Sequence, residues 1–488
     1  MALQKSDIEA IVGAGNVLDD EATLASFSRD QSAVEPRRPD MVAFVESVEQ
    51  IQKIVGLANE TLTPVTPYSS GLNLHGACIA DQGGIIINMS RMNKILALDE
   101  ENWYVIIEPG VTYAQLQDEL TAKGYRIMVP FGAPPGRSVL TSYLERDPVL
   151  AAPSFEHGNF LIMDTELVLP NGALFKTGNW TSGGDPGAPA GPIRNSLFRM
   201  WTAAQGTLGI MTKMVLQIEP IPDRKLFFIP LQAVAAAAKV LKQIQYREIG
   251  TECLLLNNFN MAAMLNDEWD VPASFPSSPG AIDSFEALRS TLPPWMLVVS
   301  LNGLPRRPDE KIAYEADALR QVCDEMNVEL METIPNITGA EKLLEAEMLR
   351  PWSILKKFNF KGSVRDLTFK CPINKVAELI DIACENVCHS GYNCKGIGIY
   401  ILPLERARAL HCEIDLHCTT GQAGALRDLW LTTAETLMNN GAYFDRPYGP
   451  WAPMVYGRAA NYSAMLKKLK KDTDPNNIMN PGKLCFTH

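Results

Sequence analysis

Apolar residues recur at helical spacing through Glu49-Gln-Ile-Gln-Lys-Ile-Val-Gly-Leu-Ala-Asn, and this predicts a helix with one buried face. The pattern then shifts. Pro64-Val-Thr-Pro reads as a short extended segment, followed by a turn-rich loop from Tyr68 to Cys78. Gly84-Ile-Ile-Ile-Asn and Tyr104-Val-Ile-Ile-Glu-Pro-Gly are β-branched runs bounded by glycine or proline, the mark of buried strands. Between Gly110 and Gly124 the pattern returns to helical spacing, with Thr112 placed to cap the first turn. Thr165 to Gly178 alternates as a hairpin would, turning at Asn171-Gly172.

Thr181 to Pro192 is too rich in Gly and Pro for regular structure and reads as a loop or flap, often functional when long. After Pro220-Ile-Pro-Asp a second pattern begins. Strands are predicted at Leu226-Phe-Phe-Ile-Pro-Leu, Glu252-Cys-Leu-Leu-Leu and Met296-Leu-Val-Val-Ser-Leu. An alanine-rich helix lies between the first two, and an irregular insertion between Asp267 and Asp283. A charged helix follows from Pro308 to about Asn327. Asp366-Leu-Thr-Phe-Lys-Cys-Pro-Ile, Ile397-Gly-Ile-Tyr-Ile and His411-Cys-Glu-Ile-Asp-Leu-His are further strands with helices between them. On the last of these, His411, Glu413, Asp415 and His417 share one face. That stripe is either a functional surface or the polar side of an open sheet.

The 488 residues exceed what one core of roughly 250–300 residues usually holds, so two or three domains are expected. A formal net charge of -12 excludes a general nucleic-acid binder. No secretory leader and no run of transmembrane length is read, which points to a cytoplasmic protein. The ten cysteines are scattered and lack paired CxxC spacing, so reduced, mostly buried thiols are expected and no metal site.

Three segments carry candidate chemistry. Pro64-Val-Thr-Pro-Tyr-Ser-Ser-Gly-Leu-Asn-Leu-His-Gly-Ala has the small residues that let backbone N–H groups turn toward one anion, as a pyrophosphate requires. Ala204-Gln-Gly-Thr-Leu-Gly-Ile-Met-Thr-Lys permits close approach of backbone to a cofactor at Gly206 and Gly209. Asp474-Pro-Asn-Asn-Ile-Met-Asn-Pro-Gly-Lys closes the chain. No GxGxxG opens a helix after a strand, so a Rossmann fold is not expected.

In these segments the chain resembles the flavoprotein superfamily of vanillyl-alcohol oxidase, p-cresol methylhydroxylase (PCMH) and the glycolate oxidase/D-lactate dehydrogenase FAD subunits. Val105-Ile-Ile-Glu-Pro-Gly-Val-Thr-Tyr-Ala-Gln-Leu, Arg137-Ser-Val-Leu-Thr-Ser and Glu166-Leu-Val-Leu-Pro-Asn-Gly add to the likeness. The resemblance implies an α+β chain: a two-part PCMH-type FAD-binding domain over 1–222, completed by 446–488, and a central α+β cap over 223–445 bearing the substrate. It places FAD against Pro67, Tyr68, Ser69, Ser70, Gly71, Leu72, Asn73, His75 and Gly76, against Pro135, Gly136, Ser138 and Ser142, and against Gly206, Thr207, Gly209, Ile210, Asn480 and Lys483.

The stretch from Arg137 to Gly172 favours the vanillyl-alcohol oxidase branch, and the histidine pair bracketing Gly-Asp-Gly-Asn in many D-2-hydroxyacid dehydrogenases is missing. Phenol-oxidising relatives carry a tyrosine where Leu72 stands, and an acid near the flavin where Ala133 stands. Gly362-Ser-Val-Arg-Asp-Leu-Thr-Phe lacks the His or Tyr that fixes FAD covalently in relatives, so noncovalent FAD is expected, with His75 and His411 left to check. Arg446, flanked by Tyr443 and Tyr448, is the candidate clamp for a phenolate or carboxylate, unless it pairs with Asp445. His411 is the candidate base. Arg365 and Lys361 are either further anion ligands or solvated strand residues.

The expected activity is hydride transfer from a small alcohol or alkylphenol-type aromatic to FAD. The alternatives are a D-2-hydroxyacid dehydrogenase and an FAD-binding electron-transfer subunit. The resemblance leaves room for a redox partner protein and a homodimer.

Overall fold

The computed structural model describes residues 3–72, 74–150, 161–184, 197–272 and 278–486. Its first sheet has four strands, in the order Val17–Leu18, Met41–Phe44, Ile85–Asn88 and Val65–Tyr68. The last three run parallel. Parallel neighbours need a crossover, and the helix Val48–Thr61 supplies it, capped by Ser47 at 3.3 Å from the Gln50 amide. Its buried Ile51, Ile54, Val55 and Ala58 fall on the face that the sequence spacing predicts.

A five-stranded antiparallel sheet follows, in the order Ile95–Asp99, Tyr104–Ile107, Ile210–Gln217, Ile162–Val168 and Leu174–Lys176. The hairpin turns at Asn171-Gly172 as read from the sequence, with the Gly172 amide donating to Leu169 at 2.8 Å. Thr112 caps Tyr113–Thr121, also as expected. Ile210–Gln217 is a strand at the centre of this sheet, so the segment read as a cofactor contact also carries sheet structure on both edges.

The third sheet has six antiparallel strands: Arg224–Leu231, Trp295–Asn302, Glu252–Asn257, Ile397–Leu404, Ala409–Cys418 and Ser363–Cys371, in that order. Pro230 is tolerated because its strand lies at the edge. Helices Val234–Tyr246, Pro308–Met326, Val376–His389 and Leu426–Asn439 cover one face and share a core with Leu410, Cys412, Ile414 and Leu416. The other face therefore carries His411, Glu413, Asp415 and His417 together, and burying such a stripe requires partners for its charges.

The chain then returns to its beginning. Helix Ala460–Thr473 leads into a terminal segment whose Ile478 carbonyl accepts from Val65, while Asn480 donates back to the Val65 carbonyl, each at 2.8 Å. Two expectations need correction or restriction. Cys388 and Cys394 are joined in a disulfide, because the turn after Val376–His389 brings their Cα atoms to 5.5 Å; the other eight thiols are free. Most of the glycine- and proline-rich loop lies outside the described residues.

Candidate functional site

One cavity is lined by strands of the first two sheets, and another by strands of the six-stranded sheet together with loops. The first, of about 700 Å³, is bounded by the end of the strand Val65–Tyr68, by helix Val139–Leu144 and by the loop that enters Ile210–Gln217. Pro67, Tyr68, Ser69, Gly206, Gly209 and Ile210 line it. Gly206 has φ +73°, and a Cβ there would stand 2.3 Å from Pro67 Cγ. The Pro67 ring packs against the Gly206 backbone at this point, and only glycine leaves room for it.

The remaining cofactor candidates are not among the residues lining this cavity; Gly76 and Lys483 line a separate cleft, and the others sit in the surrounding structure. Ser70 accepts from the Ser138 amide at 3.0 Å, and Ser138 caps Val139–Leu144 while donating to Pro109 at 2.6 Å. Gly71 has φ +70°, with Tyr68 where a side chain would go. The Pro135 carbonyl accepts from Ala114, and Gly136 packs beside Leu72. The Gly76 amide donates to Asp30 at 2.8 Å. Ser142 donates to Asp147, Thr207 to the Ala204 carbonyl, and Lys483 to Asp81. Asn480 donates to the carbonyls of Ala77 and Gln205 at 2.9 and 2.6 Å, which ties the terminal segment across the first loop. Leu72 and His75 belong to the second cavity, and Asn73 lies outside the described residues.

That second, inner cavity has a volume of about 760 Å³. Leu72, Leu355, Phe131, Phe358, Val364 and Tyr400 give it an apolar wall, half of it aromatic. Its polar groups form two clusters. In one, Arg446 donates to Asp147 at 2.5 Å and Arg137 approaches the same carboxylate at 2.8 Å. Asp445, the alternative partner for Arg446, pairs instead with Lys370 at 2.6 Å. In the other, Lys357 lies 2.7 Å from both Glu413 and Asp415, and the Tyr400 hydroxyl donates to Glu413 at 2.6 Å. Burial opposes the charge on Lys357, but Asp415 and Glu413 override it and raise its pKa. The Glu413 carboxyl is correspondingly held down at about 2 against its own burial.

The four catalytic candidates separate. Arg446 lines the inner cavity. Tyr448 is buried with its ring 5.3 Å from that of His75. His411 is 1% exposed behind Tyr400, ring to ring 5.9 Å, and is absent from the cavity lining. Burial, then Arg446, lowers its pKa to about 4, which keeps it neutral. Tyr443 is 60% exposed and lines an outer cleft with Lys370 and Arg408. Of the two cations named as anion ligands, Arg365 donates to the Gln31 carbonyl at 2.8 Å, and Lys361 stands over the rings of Phe360 and Tyr392.

Two residues of the first cavity escaped the sequence reading. Gln205 is 6% exposed with both amide atoms unpartnered, and Glu145 is 4% exposed with Oε2 unpartnered. Lys357, Asp147 and Tyr400 were likewise unmarked. Glu145 and Asp147 sit inside the stretch from Arg137 to Gly172, which was a usable signal; Lys357 had none. Orphaned polar atoms beside glycine-lined backbone fit a large polar cofactor such as FAD.

The description "FAD binding domain" matches residues 39–178 of this chain. The chain is 23% identical to the glycolate oxidase subunit GlcD of Bacillus subtilis, over 98% of this chain and 96% of that one. It is 30% identical to the 4-cresol dehydrogenase [hydroxylating] flavoprotein subunit of Pseudomonas putida, over 45% and 43%. The solved structure of 4-ethylphenol oxidase from Gulosibacter chungangensis superposes with a TM-score of 0.81 at 20% identity, covering 99% and 96%. No helix among the described residues is long and apolar enough to cross a membrane.

Proposed function

This chain is an FAD-dependent oxidoreductase with the PCMH-type flavoprotein fold, and from that premise we propose that it oxidises a small alcohol or alkylphenol-type aromatic held in the inner cavity. One observation carries the reading: an aromatic wall of Phe131, Phe358 and Tyr400 faces charged groups confined to two clusters. Bound FAD supplies the hydride acceptor. Phe131 and Phe358 hold the apolar body of the substrate and exclude water. Arg446, its charge offset by Asp147, donates to the substrate oxygen. Tyr400 spends its proton on Glu413, so its oxygen is free to accept a hydrogen bond from the substrate hydroxyl. His411 packs behind Tyr400, and Tyr448 supports the cavity from the His75 side.

A second reading, oxidation of a D-2-hydroxy acid, is favoured by one feature. Arg137 and Arg446 share a single carboxylate, which leaves one positive charge for an acidic substrate. Delivery of electrons to a redox partner protein belongs to either reading; the Pseudomonas putida relative is itself a flavoprotein subunit.

Binding separates the two. Phenols and small carboxylates are titrated into the protein, and the perturbation of its flavin absorption is followed. Saturable perturbation by phenols, lost in Arg446→Met, is expected. Perturbation by carboxylates alone would replace the first reading with the second.

A further inference from the structure

Two polar side chains in the first cavity leave buried atoms without a hydrogen-bond partner in the protein. Neither end of the Gln205 amide meets a partner, and Oε2 of Glu145 meets none, although both residues are almost wholly buried. Both line the same space as Gly206 and Gly209. Leaving such groups unpaired costs about 1–3 kcal/mol each, so a ligand that satisfies them is indicated. We infer that Gln205 and Glu145 grip bound FAD as a hydrogen-bonding pair, Glu145 as a neutral carboxyl that donates, so that the protein loses its cofactor when Glu145 ionises. The inference rests on FAD occupying this cavity.

The charges around Glu145 explain why its neutral form is the binding one. Asp147 lies two residues on, Arg137 precedes the helix Val139–Leu144, and Arg446 and Tyr448 approach from the terminal segment. Cys78 interacts with it from the first loop, and Tyr68 lines the same cavity. The two arginines pair with Asp147 and offset the burial of Glu145 only in part. Burial first, then Asp147, raises the Glu145 carboxyl to about 7. FAD adds the negative charge of its pyrophosphate, which raises that carboxyl further and makes binding take up a proton. The sign follows by linkage: affinity is full below the pKa of Glu145 in the FAD-free protein and declines as pH rises above it.

The test is release of FAD from the purified holoprotein, read by the fluorescence of freed flavin between about pH 6 and about pH 9. The wild type is expected to release progressively more FAD as pH rises, while Glu145→Gln retains it throughout. Gln205→Leu is expected to weaken binding about tenfold at every pH while keeping the wild-type pH dependence. Release that is independent of pH in the wild type, or absent at every pH, overturns the inference. So does an unchanged pH dependence in folded Glu145→Gln. Should that variant fail to fold, Gln205→Glu decides: a second carboxylate must steepen the loss above neutrality, and an unaltered profile contradicts the pair. A wild type that is colourless at every pH would instead remove FAD from this cavity, a different failure.

Discussion

Arg446 donates to Asp147 at 2.5 Å across a separation of 299 residues, fastening the end of the chain to the rim of the inner cavity. Breaking a buried ion pair by removing one member costs about 3–5 kcal/mol. Asp147→Asn is therefore expected to lose about 3 kcal/mol, read from the urea midpoint. Burial would raise the Asp147 carboxyl, but Arg137 and Arg446 override it and hold it below its ordinary value. Its stabilisation is present above about pH 4, the unfolded value, and is lost as pH falls through the lower folded value. The variant should lack that acid-side component.

Lys357 stands between Glu413 and Asp415, all three buried. Lys357→Met removes the cation that Glu413 and Asp415 share, leaves them only the Tyr400 and Asn260 donors, and so favours their protonation. The expected loss is about 3–5 kcal/mol near neutrality, shrinking as pH falls and the carboxylates take up protons. Denaturant melts at a neutral and a mildly acidic pH check this; a deficit that grows on acidification would refute it.

Lys470 donates to the carbonyls of Thr207 and Met479 at 2.7 and 2.8 Å and pairs with Asp474, joining the cofactor loop to the terminal segment. Replacing it with methionine is expected to lower the melting temperature and to raise the FAD dissociation constant together. A fall in stability without weaker FAD binding would separate the terminal segment from the cofactor cavity.

Gly206→Ala combines a left-handed backbone, costing about 1–2 kcal/mol for an L-residue, with a Cβ 2.3 Å from Pro67 Cγ. The ratio of flavin to protein absorbance in the purified variant should fall well below that of the wild type. A ratio equal to the wild type would show that the close approach of the Pro67 ring to the Gly206 backbone is dispensable.

Much of this fold was legible locally, because the deciding signals are local. Thr112, Asn171-Gly172 and the alternation from His411 to His417 each fix an element through neighbours a few residues away. The site was less legible. Gly206 and Gly209 announce close approach by residue type alone, but Arg446 looked equally able to pair with Asp445, since its real partner is Asp147 from another sheet region. Lys357 carries no motif, and its meaning appears only when the six-stranded sheet sets Glu413 and Asp415 opposite it. Gln205 sat inside a recognised segment, yet only its lack of partners distinguishes it.

The most direct test of the account is an anaerobic titration of the holoprotein with p-alkylphenols, benzylic alcohols and D-2-hydroxy acids, following the visible flavin band. Bleaching by an alkylphenol or benzylic alcohol, slowed in Arg446→Met, is the result predicted. Bleaching by hydroxy acids alone would contradict it and assign Arg446 and Arg137 to a substrate carboxylate.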